Sequence, residues 1–120
     1  MAIVRSKDAQ PELLVGKFIC EPTSRFAVEF GWPAKIVSAT SKTLTYRRLS
    51  RGEWHAQLRE WRVDETSTED VDTRCLKTSV RLICDTAKEA ILLQKRSKKA
   101  GEQIQRVLQD VVADAVAGSL

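Results

Sequence analysis

The sequence predicts an α+β chain in which a small antiparallel β-barrel is followed by C-terminal helices. Three observations point there. Short runs rich in Val, Ile, Thr and aromatic residues, some alternating with period two, fill residues 13–63 between turn residues. Beyond residue 76 the apolar positions recur every three or four residues instead. An acidic stretch marks the change: residues 1–62 carry a net charge of +5, residues 63–79 of −3 and residues 80–120 of +2. A chain of 120 residues with 42% apolar and 30% charged side chains suits a single globular unit. Multidomain enzymes and repeat arrays are excluded.

Taken in order, residues 1–12 are mixed and polar and read as a flexible arm. Residues 13–20 are apolar and partly β-branched, a strand signal. Glu21, Pro22, Thr23 and Ser24 form a loop. Phe26, Val28, Phe30 and Trp32 then alternate with Arg25, Ala27, Glu29 and Gly31, the clearest period-two pattern in the chain. Pro33 cannot donate to a ladder, so a bend is expected at Gly31-Trp32-Pro33. Strands are expected at 34–39 and 43–49, joined by a tight turn at Thr40-Ser41-Lys42. Ser50-Arg51-Gly52 reads as the next turn. The last strand, 53–63, changes phase: Trp54, Ala56 and Leu58 share one face, Trp61 and Val63 the other. A bulge near Arg59-Glu60 would reconcile them.

Residues 64–68 read as an acidic linker and 69–120 as a helical region. Glu69 and Asp70 stand where a helix start favours acids. Leu76, Val80, Ile83, Ala87 and Ile91 form a helical stripe, although residues 78–84 are also rich enough in Val and Ile for a strand. Lys95, Arg96, Lys98 and Lys99, followed by Gly101, predict the end of that helix. A second helix, 102–117, carries Ile104, Val107, Leu108, Val111 and Ala115 on one face.

Cys20, Cys75 and Cys84 are odd in number and lack C-x-x-C spacing, and His55 is the only histidine. Neither a zinc site nor a disulfide framework is indicated. Unpaired thiols suit a reducing compartment, so the expected location is the cytoplasm. No signal-like apolar core follows Met1, and no run approaches the ~18 apolar residues of a membrane span. There is no G-x-S-x-G, Walker loop or GxGxxG, and nothing places a nucleophile beside His55. The expectation is a protein that is not an enzyme and takes no cofactor.

The string Gly31-Trp32-Pro33-Ala34-Lys35-Ile36-Val37 resembles the Trp-Pro-Ala-basic-aliphatic run of PWWP domains. A curved meander followed by helices resembles SH3-like small barrels more widely, including Tudor and KOW modules. Phe30-Gly31 stands where the family has Pro-Trp or a similar pair, so Trp32 and Pro33 are the matching positions. The resemblance implies a barrel strand directly after the motif, an aromatic cage for methylated lysine, and DNA binding through basic surface.

Arg47, Arg48 and Arg51 cluster on one strand end and turn, and Arg59 and Arg62 lie on the neighbouring strand, with Tyr46 and Trp54 interleaved. Such a face suits nucleic acid, because guanidinium groups meet phosphates and rings stack on exposed bases. The same charges also fit a solvated sheet face balanced by Glu53 and Glu60. Phe30, Trp32, Tyr46 and Trp54 could surround a methylammonium group or fill the core. Val112 and Val116 widen the apolar face of the last helix. Ile104, Val107, Leu108, Val111, Val112 and Ala115 are therefore expected to form an interface, most simply in a two-fold homodimer. The first functional expectation is a non-enzymatic nucleic-acid-binding module. The second is a small protein-interaction or inhibitory protein, for example phage- or plasmid-borne, that blocks a host complex through its helices. The third is a methyl-lysine or peptide reader.

Overall fold

Thr40 closes the first hairpin with its own side chain. Its Oγ1 accepts from the Lys42 and Thr43 amides at 3.3 and 3.0 Å, and its amide donates to the Thr43 carbonyl at 2.8 Å. The turn joins β3 (Pro33–Ala39) to β4 (Thr43–His55), as its polarity and length predict. The computed structural model that shows this describes residues 3–5, 10–23, 30–80 and 82–117, with backbone alone at 3–5, 105, 108, 114 and 117. The expected alternation of Phe26 and Val28 lies outside the described residues. Pro33 opens β3 rather than bending the chain, which is where a strand tolerates a residue without an N–H.

β4 runs unbroken for 13 residues, so Ser50-Arg51-Gly52 is strand and not the expected turn. The reversal falls at residues 56–59 instead, with Arg59 at φ 50° and His55 Nδ1 accepting from the Leu58 amide at 3.2 Å. Beyond it, β5 (Glu60–Thr68) returns along β4 with Trp61 opposite Trp54. The phase change read as a bulge is thus a hairpin: directly opposed residues share a face whatever their spacing in sequence. The expected linker 64–68 belongs to β5. Ser50 faces Asp64 while Leu49 faces Thr68, so residues 65–67 bulge out of the ladder. The Asp64 carboxylate holds the bulge, accepting from the Thr66 amide at 3.0 Å, Thr66 Oγ1 at 2.6 Å and Ser67 Oγ at 3.1 Å.

Among the described residues of 69–84 there is no α-helix. β6 (Thr73–Leu76) pairs with Thr43–Tyr46 of β4, a 3-10 turn follows at Lys77–Ser79, and β7 (Leu82–Cys84) comes next. The strand alternative for 78–84 therefore holds at its C-terminal end. β7 pairs with β2 (Phe18–Cys20) and with β1 (Ile3–Arg5), so the expected N-terminal arm contributes a strand. The strand expected at 13–20 is shorter than its apolar run. Pro11–Leu13 form a 3-10 turn, and Gly16, at φ +87°, redirects the chain into β2. The antiparallel order is β1-β7-β2-β3-β4-β5, with β6 also on β4. Among the described residues no pairing joins the two ends, so the observed architecture is an α+β sheet that is not closed by its ladders.

Neighbouring residues on β2 and β7 face two different cores. Ile19 and Ile83 join Leu14, Ala34, Ile36, Leu44, Tyr46 and Val80 in a cluster with no helical member. Cys20 and Cys84 point the other way, packing with Ala90, Phe18, Phe30 and Leu93. Strands covered on both faces read as continuous apolar runs, as Phe-Ile-Cys and Leu-Ile-Cys do. The helix covering the second face is single. α1 (Ala87–Ala117) spans 31 residues and passes straight through Gly101, where a stop was expected. The two-helix expectation is thereby corrected. The Lys95–Lys99 segment lies mid-helix, and its Ser97 is buried, accepting from the Phe30 amide at 2.8 Å and donating to the Gln94 carbonyl at 2.9 Å.

Candidate functional site

The alternation of β4 separates the arginines that the sequence groups together. Arg47 and Arg48 are neighbours and so project from opposite faces. Arg47 Nε lies 2.6 Å from Asp72 Oδ1, and Arg48 Nε lies 2.5 Å from Glu21 Oε1. Tyr46 is 3% exposed and donates its hydroxyl to Glu21 Oε2 at 3.1 Å. Burial first, and then the Glu21 charge, push the Tyr46 pKa well above its ordinary value. Trp32 donates Nε1–H to the Leu49 carbonyl at 2.7 Å, and the Arg48 guanidinium covers its ring at 5.5 Å. Glu21, Arg48, Tyr46 and Trp32 thus form one internal polar network. The four rings considered for a methylammonium cage are not brought together. Tyr46 is core, Trp32 is capped by Arg48, Phe30 packs in the cluster under α1, and Trp54 lies near the hairpin tip.

The remaining predicted residues gather on the β4–β5 hairpin. Trp54 and Trp61 are 50% and 42% exposed and meet edge to face, their centroids 5.3 Å apart. The Arg51 guanidinium lies 5.9 Å from the Trp61 ring centre. Arg51, Arg59 and Arg62 are exposed, and none of the four described ion pairs involves them. Between this hairpin and α1 runs a groove of about 570 Å³. Trp32, Trp61, Arg62 and Val63 line its sheet side, and Ile91, Gln94, Lys95 and Lys98 line its helix side. Lys98 crosses it to Glu60 at 3.0 Å. Glu60, Glu65 and His55 also face the groove.

Trp61, Lys95 and Lys98 are not among the residues that the sequence assigns to this face. Trp61 is legible only through its partnership with Trp54, which requires the turn to be placed correctly. Ile91, Gln94, Lys95 and Lys98 share a helical spacing that becomes visible once 87–117 is taken as one helix. On the predicted apolar face of the last helix, Ile104, Val107, Val111 and Val112 are exposed and Ala115 is half-buried, while the side chain of Leu108 lies outside the described residues. Among the described residues no group of three or more His, Cys, Asp or Glu could hold a metal ion, and no helix is long and apolar enough to cross a membrane. Comparison of the chain with protein-family models, with curated proteins and with solved structures gave no match.

Proposed function

We propose that this chain is a non-enzymatic module that binds single-stranded nucleic acid through the β4–β5 hairpin and the facing side of α1. The observation that carries the reading is the half-exposed Trp54–Trp61 pair with Arg51 beside one ring. Exposed indole faces offer platforms for unpaired bases, and flanking cations meet the phosphates between them. Arg51, Arg59, Arg62, Lys95 and Lys98 outnumber Glu53, Glu60 and Glu65 around the hairpin and groove. Arg48 and Tyr46 drop out of the binding surface because they are engaged within the Glu21 network, and Arg47 because it is held in a surface ion pair with Asp72.

We also read the sheet as a small SH3-like barrel. Its last strand, β7, returns beside β2, its ladders shift register at Ile36/Ser38, Leu49/Ser50 and Arg51/Trp54, and one core is built without any helix. Such irregularities bend a sheet, and a sheet that fills its own interior is curling round it. A second functional reading, a protein-interaction module, is favoured by the exposed apolar residues of the C-terminal half of α1.

Fluorescence anisotropy with labelled single-stranded DNA and RNA tests the first reading. Arg51→Ala with Arg62→Ala should weaken binding to all sequences and lower the salt slope by about 0.7 for each phosphate left without its cation. Trp61→Ala should weaken binding with little change in that slope. Arg47→Ala should leave affinity within about twofold, its charge being engaged by Asp72. No binding by the intact protein at low salt overturns the reading.

A further inference from the structure

The stripe that fixes α1 to the sheet does not end where the sheet ends. Ala90, Leu93 and Ser97 face the sheet, Ala100 and Gly101 are half-buried, and the same three-and-four spacing continues through Ile104, Val107 and Val111. There the burial stops. Ile104 is 45% exposed, Val107 62%, Val111 59%, Val112 62% and Val116 81%. At 1.5 Å per residue a 31-residue helix is about 46 Å long, so it carries this end clear of the sheet. The radius of gyration, 17.0 Å, exceeds the roughly 14 Å of a rounded chain of this length, and the longest dimension is 58 Å.

We infer that the C-terminal half of α1 docks against the same segment of a second copy, in an antiparallel two-fold pair. This inference is independent of the nucleic-acid reading. Two observations select that occupant and orientation. The first is area. Ile104, Val107, Val111 and Val112 share one broad face and expose about 400 Å² of apolar side chain per copy, or about 800 Å² for two, while Val116, half a turn round from Val107, lies outside it. With its polar flanks this face approaches the lower edge of stable interfaces, about 1,200 Å². A self-complementary stripe is what a two-fold axis needs. The second is direction. Sheet and exposed stripe lie on the same side of one helix, so a parallel partner would run into the space this chain's own sheet occupies. An antiparallel partner overlaps the bare half alone and leaves each sheet beyond the other's helix tip.

Sedimentation equilibrium across the micromolar range should give twice the 13.5 kDa chain mass at the upper end. Val111→Glu should weaken association at least tenfold with unchanged helicity, since the side chain is exposed within its own chain. Val107→Glu, tested alongside, should do the same. In a Cys75→Ser background, a short bismaleimide should join copies carrying Val111→Cys, near the centre of the overlap. It should not join copies carrying Ala115→Cys, on the same face but about 15 Å apart along the pair. A wild-type monomer at every concentration overturns the inference and assigns the stripe to a partner of different sequence. Folded glutamate variants that remain dimeric overturn it too, and equal cross-linking at both positions overturns the antiparallel arrangement.

Discussion

At Gly31 an added β-carbon would sit 2.5 Å from the Glu21 carbonyl oxygen and 2.8 Å from Glu21 Cβ. The approach is close because two backbone bonds tie the segments together, Glu21 N–H to the Trp32 carbonyl at 2.9 Å and Gly31 N–H to the Glu21 carbonyl at 3.1 Å. The same Glu21 uses its carboxylate to hold Arg48 and Tyr46. Gly31→Ala should therefore push on backbone that cannot yield without disturbing this polar network. A loss of about 1–3 kcal/mol is expected, seen as a fall of several degrees in Tm with the fold retained. A melt within one degree of the wild type would show that the segment gives way freely. In the sequence this glycine belongs to a string distinguished by its tryptophan and proline. Its own role depends on a residue ten positions earlier, which no local pattern reports.

At the scale of elements, α1 begins at a cap that the apolar periodicity does not mark. Thr86 Oγ1 accepts from the Glu89 amide at 3.3 Å and donates to Glu89 Oε1 at 3.1 Å, a Thr-x-x-Glu arrangement. The helix start was expected instead at Glu69 and Asp70, which precede β6. Acidic residues favour a helix start, but they do not create one where the following residues are needed as a strand. Thr86→Ala should cost about 1 kcal/mol in a denaturant titration, with the midpoint shifted and the slope unchanged. An effect as large on the C-terminal half of the helix is not expected, because a cap acts on the first turn. The β4–β5 hairpin teaches the complementary lesson. Its Arg51, Trp54, Arg59 and Arg62 were legible, but Trp61 was not, and the turn was expected several residues early, at Gly52. Glycine is permissive in turns without being required there. The actual turn is closed by His55 and by Arg59 in the left-handed region.

For the whole molecule, the two-sided burial of β2 and β7 places two thiols under α1. Burial pushes the Cys20 pKa up to about 12 and that of Cys84 up to about 11, from an ordinary 9.0. Both groups stay protonated in the folded chain after they have ionised in the unfolded one. Their contribution to stability is therefore complete below pH 9 and is lost as pH rises through the folded values. Unfolding free energy should fall above pH 9, by up to about 1.4 kcal/mol per pH unit for each thiol. Denaturant titrations at several pH values check this, and Cys20→Ala with Cys84→Ala should flatten the decline. In the native protein at pH 8, Cys75, which is half-buried, should react with a maleimide before either of them. Equal reactivity of all three thiols would contradict the two-core arrangement.

The sequence alone determined the α+β class, the Thr40–Lys42 turn, the strands on either side of it and the amphipathic C-terminal helix, and it left 78–84 open between helix and strand. Each rests on interactions within a few residues: side-chain alternation, a threonine closing its own turn, a three-and-four apolar period. Tertiary structure decided what required distant partners. Asp72 and Glu21 engaged Arg47 and Arg48, Trp61 met Trp54 across a turn, and β7 took its place between β1 and β2. The apolar stripe from Leu76 to Ile91 has helical spacing and yet is mostly not helix. The sheet core needed Val80 and Ile83, and burying them between strands outweighed a local period that would otherwise have had nothing to pack against.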